Sequence, residues 1–292
     1  MSTQRDTPLV TPLVTGDWLA EHLTDPAIRP NLRVVDASWY LPAAGRNGRA
    51  EYEAGHIPGA VFWDIDEIAD KTSGLPHMMP GPDDFALHMQ MLGIGNDTNV
   101  VLYDGLGLFT AARPWWMLRA MGHENVAILD GGLPKWIAEG RPLSTEAAAS
   151  AATTFTPRIN TSFFHNTNVL KNFLTSKEKQ IIDARSASRF AGAEPEPRPG
   201  CRPGHIPGSL NAHYDAMLNP ADKTVKNSDA LKALFEGAGV DLGKPVVTTC
   251  GSGVTACMLA LGLHLIGKHD VAVYDGSWAD WGTAEDTPVE TG

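Results

Sequence analysis

At 292 residues, with 43% hydrophobic and 20% charged residues, the chain has the size for two ordinary domains and the composition of a globular protein. A net charge of -11 without a basic run excludes a nucleic-acid surface, and no apolar run reaches membrane-spanning length. Three cysteines with no CxxC spacing and no companion ligand pattern exclude a disulfide framework and a metal site, and no cofactor motif stands out.

In chain order, Met1 to Thr15 lacks the basic region and apolar stretch of a secretory signal, so a reducing, cytoplasmic location is expected. Short β-rich runs at 33–36, 99–103 and 126–129 alternate with longer amphipathic stretches such as 83–92. That alternation predicts an α/β fold, a mostly parallel sheet flanked by helices on both faces. Residues 144–156, rich in Ala, Ser and Thr, read as a linker whose Ala-rich middle could be partly helical. The expected division is therefore 1–143, linker 144–156, and 157–292.

The second part repeats the first. His56-Ile57-Pro58-Gly59 returns as His205-Ile206-Pro207-Gly208, and Val34-Val35-Asp36-Ala37 as Ile181-Ile182-Asp183-Ala184. The run 100–104 matches 245–250, with Asp104 opposite Cys250. Leu129-Asp130-Gly131-Gly132 matches Tyr274-Asp275-Gly276-Ser277. Four markers in one order, at a nearly constant spacing of about 147 residues, mean one fold written twice. His56 and His205 belong to the repeated turn and serve the fold.

Residues 244–249 read as a strand near the sheet centre, and 256–266 as a buried helix. Between them lies Cys250-Gly251-Ser252-Gly253-Val254-Thr255. Strand, Gly-containing loop and helix put Cys250 at the carboxyl end of a parallel sheet, where such folds bind ligands. The glycines let backbone N–H groups turn inward, and the helix start adds positive partial charge. Such a cradle lowers a thiol pKa and holds an anion. A cysteine at a strand end is also a common small buried residue; the glycines and the helix favour the reactive reading. Cys257, inside the helix, reads as packing, and Cys201, in a Pro/Gly loop, as a bystander. A second loop carries Arg189 and Arg198, whose forked guanidinium groups suit a carboxylate. Pairing with Glu194, Glu196 or another surface acid is the alternative. Arg185, in Asp183-Ala184-Arg185, reads as structural.

The two HIPG motifs, the C-terminal cysteine loop and Asp104 at the matching first position resemble the two-domain rhodanese superfamily along nearly the whole chain. That resemblance implies two tandem rhodanese-like domains, a catalytic second one, and sulfur carried as a persulfide on Cys250. The loop from Cys250 to Thr255 is similar to that of the branch using 3-mercaptopyruvate, while thiosulfate-using relatives carry basic residues after the cysteine. Phosphatase relatives have a longer loop with Arg where Ala256 stands here. The resemblance further implies that Arg189 and Arg198 hold the substrate, and that Asp66, His77 and Ser252 form a proton relay. A histidine titrates in the right range for that, with an aspartate fixing its tautomer. His77 in a capped loop and Asp66 as a helix cap are the structural alternatives.

The charge pattern agrees on the donor. Thiosulfate is a dianion and would profit from cations beside the attacked sulfur. Gly251 and Ser252 are neutral. The carboxylate of 3-mercaptopyruvate lies away from its thiol, so its cation should stand off from Cys250. The acceptor is open between thioredoxin, a small thiol and cyanide. Thiosulfate sulfurtransfer and a non-catalytic persulfide-binding module are the rival functions.

Overall fold

The computed structural model describes residues 11–25, 28–148 and 152–292. Most of Met1 to Thr15 and the Ala-rich middle of the expected linker lie outside the described residues.

The first repeat contributes strands β1 (Leu13–Val14), β2 (Leu32–Asp36), β3 (Val61–Phe62), β4 (Asn99–Tyr103) and β5 (Val126–Leu129). Its helices are α1 (Gly16–Thr24), α2 (Gly48–Ala54), α3 (Pro82–Met91), α4 (Ala112–Ala120) and α5 (Gly132–Ala138). The second contributes β6 (Phe164–His165), β7 (Gln180–Asp183), β8 (Leu210–Asn211), β9 (Val246–Thr249) and β10 (Val271–Tyr274). Its helices are α6 (Thr167–Ser176), α7 (Ala187–Phe190), α8 (Ser228–Gly237), α9 (Ala256–Leu265) and α10 (Ser277–Trp281).

Each repeat forms one five-stranded sheet, ordered β1-β5-β4-β2-β3 and β6-β10-β9-β7-β8. Every strand pair is parallel. The central strands β4 and β9 are buried along their whole length, as continuous apolar runs covered on both faces should be. Leu19, Val101, Tyr103 and Trp136 pack in the first core, and Leu170, Ile206, Val247 and Trp281 in the second. Side-chain oxygens cap most helices that start from ordinary loops: Thr15 for α1, Asn47 for α2, Asn166 for α6 and Asn227 for α8. The helices after the two central strands, α4 and α9, have no side chain capping them from the N-cap position.

By contact the chain divides into two units that are not simple halves. Unit 1 comprises the chain through Ile68, Pro80–Ile159 and Pro220–Thr224; unit 2 comprises Ala69–Met79, Asn160–Asn219 and Val225–Gly292. The two exchanged segments carry a fifth repeat, Ala69-Asp70-Lys71-Thr72 and Ala221-Asp222-Lys223-Thr224. In both, the aspartate Oδ1 accepts the N–H and the hydroxyl of the threonine two residues on, at 2.8 and 2.7 Å in the first and 3.1 and 2.7 Å in the second. The described end of the 144–156 stretch packs on unit 1: Phe155 is buried there and Thr156 N–H donates to Asn96 Oδ1 at 2.7 Å.

The HIPG histidines are framework in both units. His56 stacks on Tyr52 at 4.1 Å and shares a hydrogen bond with its carbonyl at 2.8 Å. His205 stacks on Phe190 at 3.8 Å and does the same with that carbonyl at 2.8 Å. Each residue also forms an antiparallel bridge, His56 with Ser144 and His205 with Glu290.

Candidate active site

Cys250 follows the last residue of β9 and is 2% exposed. The turn after β10 fastens it from the other side. Ser277 Oγ accepts the Cys250 N–H at 3.1 Å and lies 4.0 Å from its Sγ. The N–H groups of Trp278 and Ala279 donate to the carbonyls of Cys250 and Gly251 at 2.9 and 2.8 Å. Beneath the loop, the Cys257 thiol donates to the Gly253 carbonyl at 3.1 Å. Cys257 is a packing residue that also ties the loop to α9.

The two loop glycines have different reasons. Gly253 has φ 77°, the left-handed conformation that glycine adopts without a steric cost. Gly251 is not left-handed; two guanidinium groups lie against it, that of Arg189 the more closely. A Cβ there would stand 3.3 Å from Arg189 Nη2 and 3.6 Å from Arg198 Nη1. The expected curling role thus holds for Gly253, and close approach distinguishes Gly251. Both arginines of the second loop therefore reach the loop one residue beyond the thiol. Val254 is buried and Thr255 half-buried at the start of α9.

The arginine loop is held from below. Arg185 is enclosed, with Nη2 2.7 Å from Asp183, Nη1 2.7 Å from Glu196, and its guanidinium 4.4 Å from the Trp278 ring centre. Glu196 reaches from Arg185 to Arg189, which it meets at 2.5 Å. One acid thus orients the arginine beside Gly251 while sharing its charge with a buried neighbour.

Ser252 is 6% exposed, and its Oγ is 3.0 Å from His77 Nδ1. His77 is itself 4% exposed and belongs to unit 2 through the segment Ala69–Met79. The tautomer sets which of the two atoms donates. Asp66 belongs to unit 1, where its carboxylate accepts the Trp39 indole N–H at 2.9 Å. Asp66 caps no helix, since the next one, α3, begins at Pro82; it lies in a turn held by Asp64, whose Oδ1 accepts the N–H groups of Asp66 and Glu67 at 3.1 and 3.2 Å.

Unit 1 shows what the equivalent loop selects when no thiol is present. Asp104 stands after β4 as Cys250 stands after β9. Its Oδ2 accepts the N–H groups of Phe109, Thr110 and Ala111 at 2.7, 2.8 and 2.9 Å, and its Oδ1 that of Leu106 at 2.9 Å. Here the loop closes on its own carboxylate. An inward-facing set of N–H groups before an uncapped helix selects an anion, and a resident one fills it.

Comparison with known proteins agrees with this geometry. The rhodanese-like domain model matches residues 15–139 and 166–284. The chain belongs to the rhodanese family, with two such domains in tandem. It is 46% identical over 271 residues to 3-mercaptopyruvate sulfurtransferase of Homo sapiens, covering 92% of this chain and 91% of that protein. It is 44% identical over 272 residues to thiosulfate sulfurtransferase of Bos taurus, with 92% and 91% covered. The crystal structure of SseA from Escherichia coli, among the 3-mercaptopyruvate sulfotransferases, superposes with a TM-score of 0.83 at 40% identity, covering 92% of this chain and 99% of that one. No helix among the described residues is long and apolar enough to cross a membrane.

Proposed function

We propose that the protein is a sulfurtransferase that takes sulfur from 3-mercaptopyruvate onto Cys250 and passes it to a nucleophilic acceptor, releasing pyruvate. The observation that carries this reading is the convergence of Arg189 and Arg198 on Gly251, one residue from Cys250, across a loop whose own side chains are neutral. Relatives of nearly equal identity bear the names of both donors, so overall similarity does not choose between them. The neutral Gly251-Ser252 pair favours the donor whose charge is remote from its sulfur.

In the reaction the Cys250 thiolate attacks the donor sulfur. An S–S bond forms, the C–S bond breaks, and its electron pair passes to the carbon as the enolate of pyruvate. The proton leaving the donor thiol balances the proton gained by that carbon. Ser252 and His77, 3.0 Å apart, are the pair we assign to this transfer. The two arginines hold the carboxylate and carbonyl oxygens. The outer sulfur of the persulfide, an anion, rests in the loop cradle from Gly251 to Thr255. A thiolate such as that of thioredoxin or a small thiol, or cyanide, then attacks the outer sulfur and restores Cys250.

Among the described residues Cys201, Cys250 and Cys257 form no disulfide, which suits a reducing compartment, and we assign the protein to the cytoplasm on that ground. Intact mass spectrometry after incubation with 3-mercaptopyruvate tests the proposal. One added sulfur is expected on wild type, Cys201→Ser and Cys257→Ser, and none on Cys250→Ser. A sulfur-loaded Cys250→Ser protein would end the reading. Persulfide without turnover to any of the three acceptors would favour a carrier module.

A further inference from the structure

We propose that Asp275 is a positioning residue that holds His77 against Ser252 by anchoring the backbone of the segment Ala69–Met79. The inference rests on the proton-transfer role assigned above to His77 and adds the residue through which that role is secured.

His77 is in a costly conformation. Its φ of 61° is left-handed, which for a residue with a Cβ costs on the order of 1 kcal/mol and persists only where the surroundings enforce it. Two hydrogen bonds supply that enforcement. Asp70 N–H donates to the Met78 carbonyl at 2.8 Å and closes the segment on itself. Met79 N–H donates to Asp275 Oδ2 at 2.9 Å and fixes the closed segment to the sheet unit that carries the nucleophile. Asp275 is 6% exposed, so the bond is made out of water and to a charged acceptor, the stronger kind.

The place of Asp275 in the fold gives this bond its consequence. It is the first residue after β10, two residues ahead of Ser277, Trp278 and Ala279, which open α10 and hold Cys250 and Gly251. One short stretch therefore fastens the nucleophile's loop on one side and the histidine's segment on the other. From Met79 to His77 is only two residues, a reach of about 7 Å at most. A shift of the anchor is passed almost directly to the imidazole, and proton transfer tolerates little displacement.

Steady-state kinetics with 3-mercaptopyruvate on Asp275→Ala, Asp275→Asn, His77→Ala and the Ala/Ala double variant test the proposal. Asp275→Ala should lower kcat about tenfold with little change in KM, as His77→Ala should, because the substrate clamp is untouched. Asp275→Asn keeps an acceptor oxygen and should stay within about threefold of wild type. The double variant should have the kcat of His77→Ala, since an anchor without its histidine has nothing to position. In hydrogen exchange, the Met79 amide should lose protection in Asp275→Ala while β9 keeps it. A further kcat loss in the double variant, or equal losses in Asn and Ala, would overturn the inference. So would a wild-type kcat in Asp275→Ala beside a crippled His77→Ala, which leaves the proton-transfer reading standing. A wild-type kcat in His77→Ala removes that reading and this inference together. Should Asp275→Ala fail to fold, Asp275→Ser, too short to reach Met79, takes its place with the same expectations.

Discussion

Ser277 and Gly132 occupy the same position in the two repeats, and both are left-handed, with φ 51° and 55°. In unit 1 glycine meets this requirement freely: a Cβ there would lie 2.5 Å from the Gly107 carbonyl oxygen. In unit 2 the chain accepts a strained serine, whose hydroxyl takes the Cys250 N–H at 3.1 Å and donates to the Tyr274 carbonyl at 2.8 Å. Strain is thus kept where the thiol is and absent where it is not.

Ser277→Gly should therefore leave stability nearly unchanged. Relief of about 1 kcal/mol of backbone strain offsets a lost hydrogen bond of similar size. Ser277→Ala keeps the strain and loses the bond, and should be less stable than wild type by about 1 kcal/mol. Both should transfer sulfur several-fold more slowly. Thermal melts with kcat measurements check this, and a Gly variant as active as wild type would deny Ser277 any hold on the loop.

Gly251→Ala probes the arginine pair. A methyl group at 3.3 Å from Arg189 Nη2 pushes by a few tenths of an ångström on a guanidinium that is already tied to Glu196. KM for 3-mercaptopyruvate should rise several-fold with kcat and melting temperature little changed. Arg189→Ala and Arg198→Ala should each cost roughly 1.5 to 3 kcal/mol of binding, and lysine should rescue poorly because it cannot form the fork. An unaltered KM in all three variants would remove the clamp.

Glu196→Gln separates stability from affinity. The change takes a charge from enclosed Arg185, which retains Asp183 at 2.7 Å and the Gly204 carbonyl at 2.8 Å. Stability should fall by about 1 to 3 kcal/mol, less than the roughly 3 to 5 kcal/mol of a fully broken buried pair, because Asp183 stays. Arg189, released from a competing carboxylate, should bind the substrate anion more tightly, so KM should drop. Denaturant unfolding and kinetics on one preparation would show the opposed signs; a raised KM would mean that Glu196 orients Arg189 more than it competes with the substrate.

Asp36 should give unit 1 a pH-dependent weakness. Burial, with a contribution from the nearby Asp104 charge, raises its pKa to about 6. The matching Asp183 has the cation Arg185 as a partner, where Asp36 has the neutral groups of Ser38, whose N–H it accepts at 2.9 Å, and the Tyr103 hydroxyl. With the folded pKa above the unfolded one, the protonated form favours folding. That contribution is complete below about pH 4 and is lost as pH rises through 6. Asp36→Asn keeps the acceptor and removes the charge. It should raise the melting temperature by several degrees at pH 8 and hardly at all at pH 4. An equal gain at both values would exclude the charge as its cause.

The architecture was legible because its signals are local and occur twice. Apolar runs of strand length, the HIPG turns and the Asp104–Cys250 correspondence pointed to two α/β units, with Cys250 between a central strand and a buried helix. Only the tertiary structure decided what surrounds the thiol. It assigned Gly251 to the approach of Arg189 and Arg198, whereas the sequence suggested backbone turning for both loop glycines. It paired Arg189 with Glu196, brought His77 to Ser252 across 175 residues, and moved the segments 69–79 and 220–224 out of their own halves. The repeated Ala-Asp-Lys-Thr was the one sequence signal for that exchange. The physical reason is separation along the chain. A strand or a turn is selected by residues within a few positions of one another, whereas a hydrogen bond between distant loops exists only once the fold has set where those loops end.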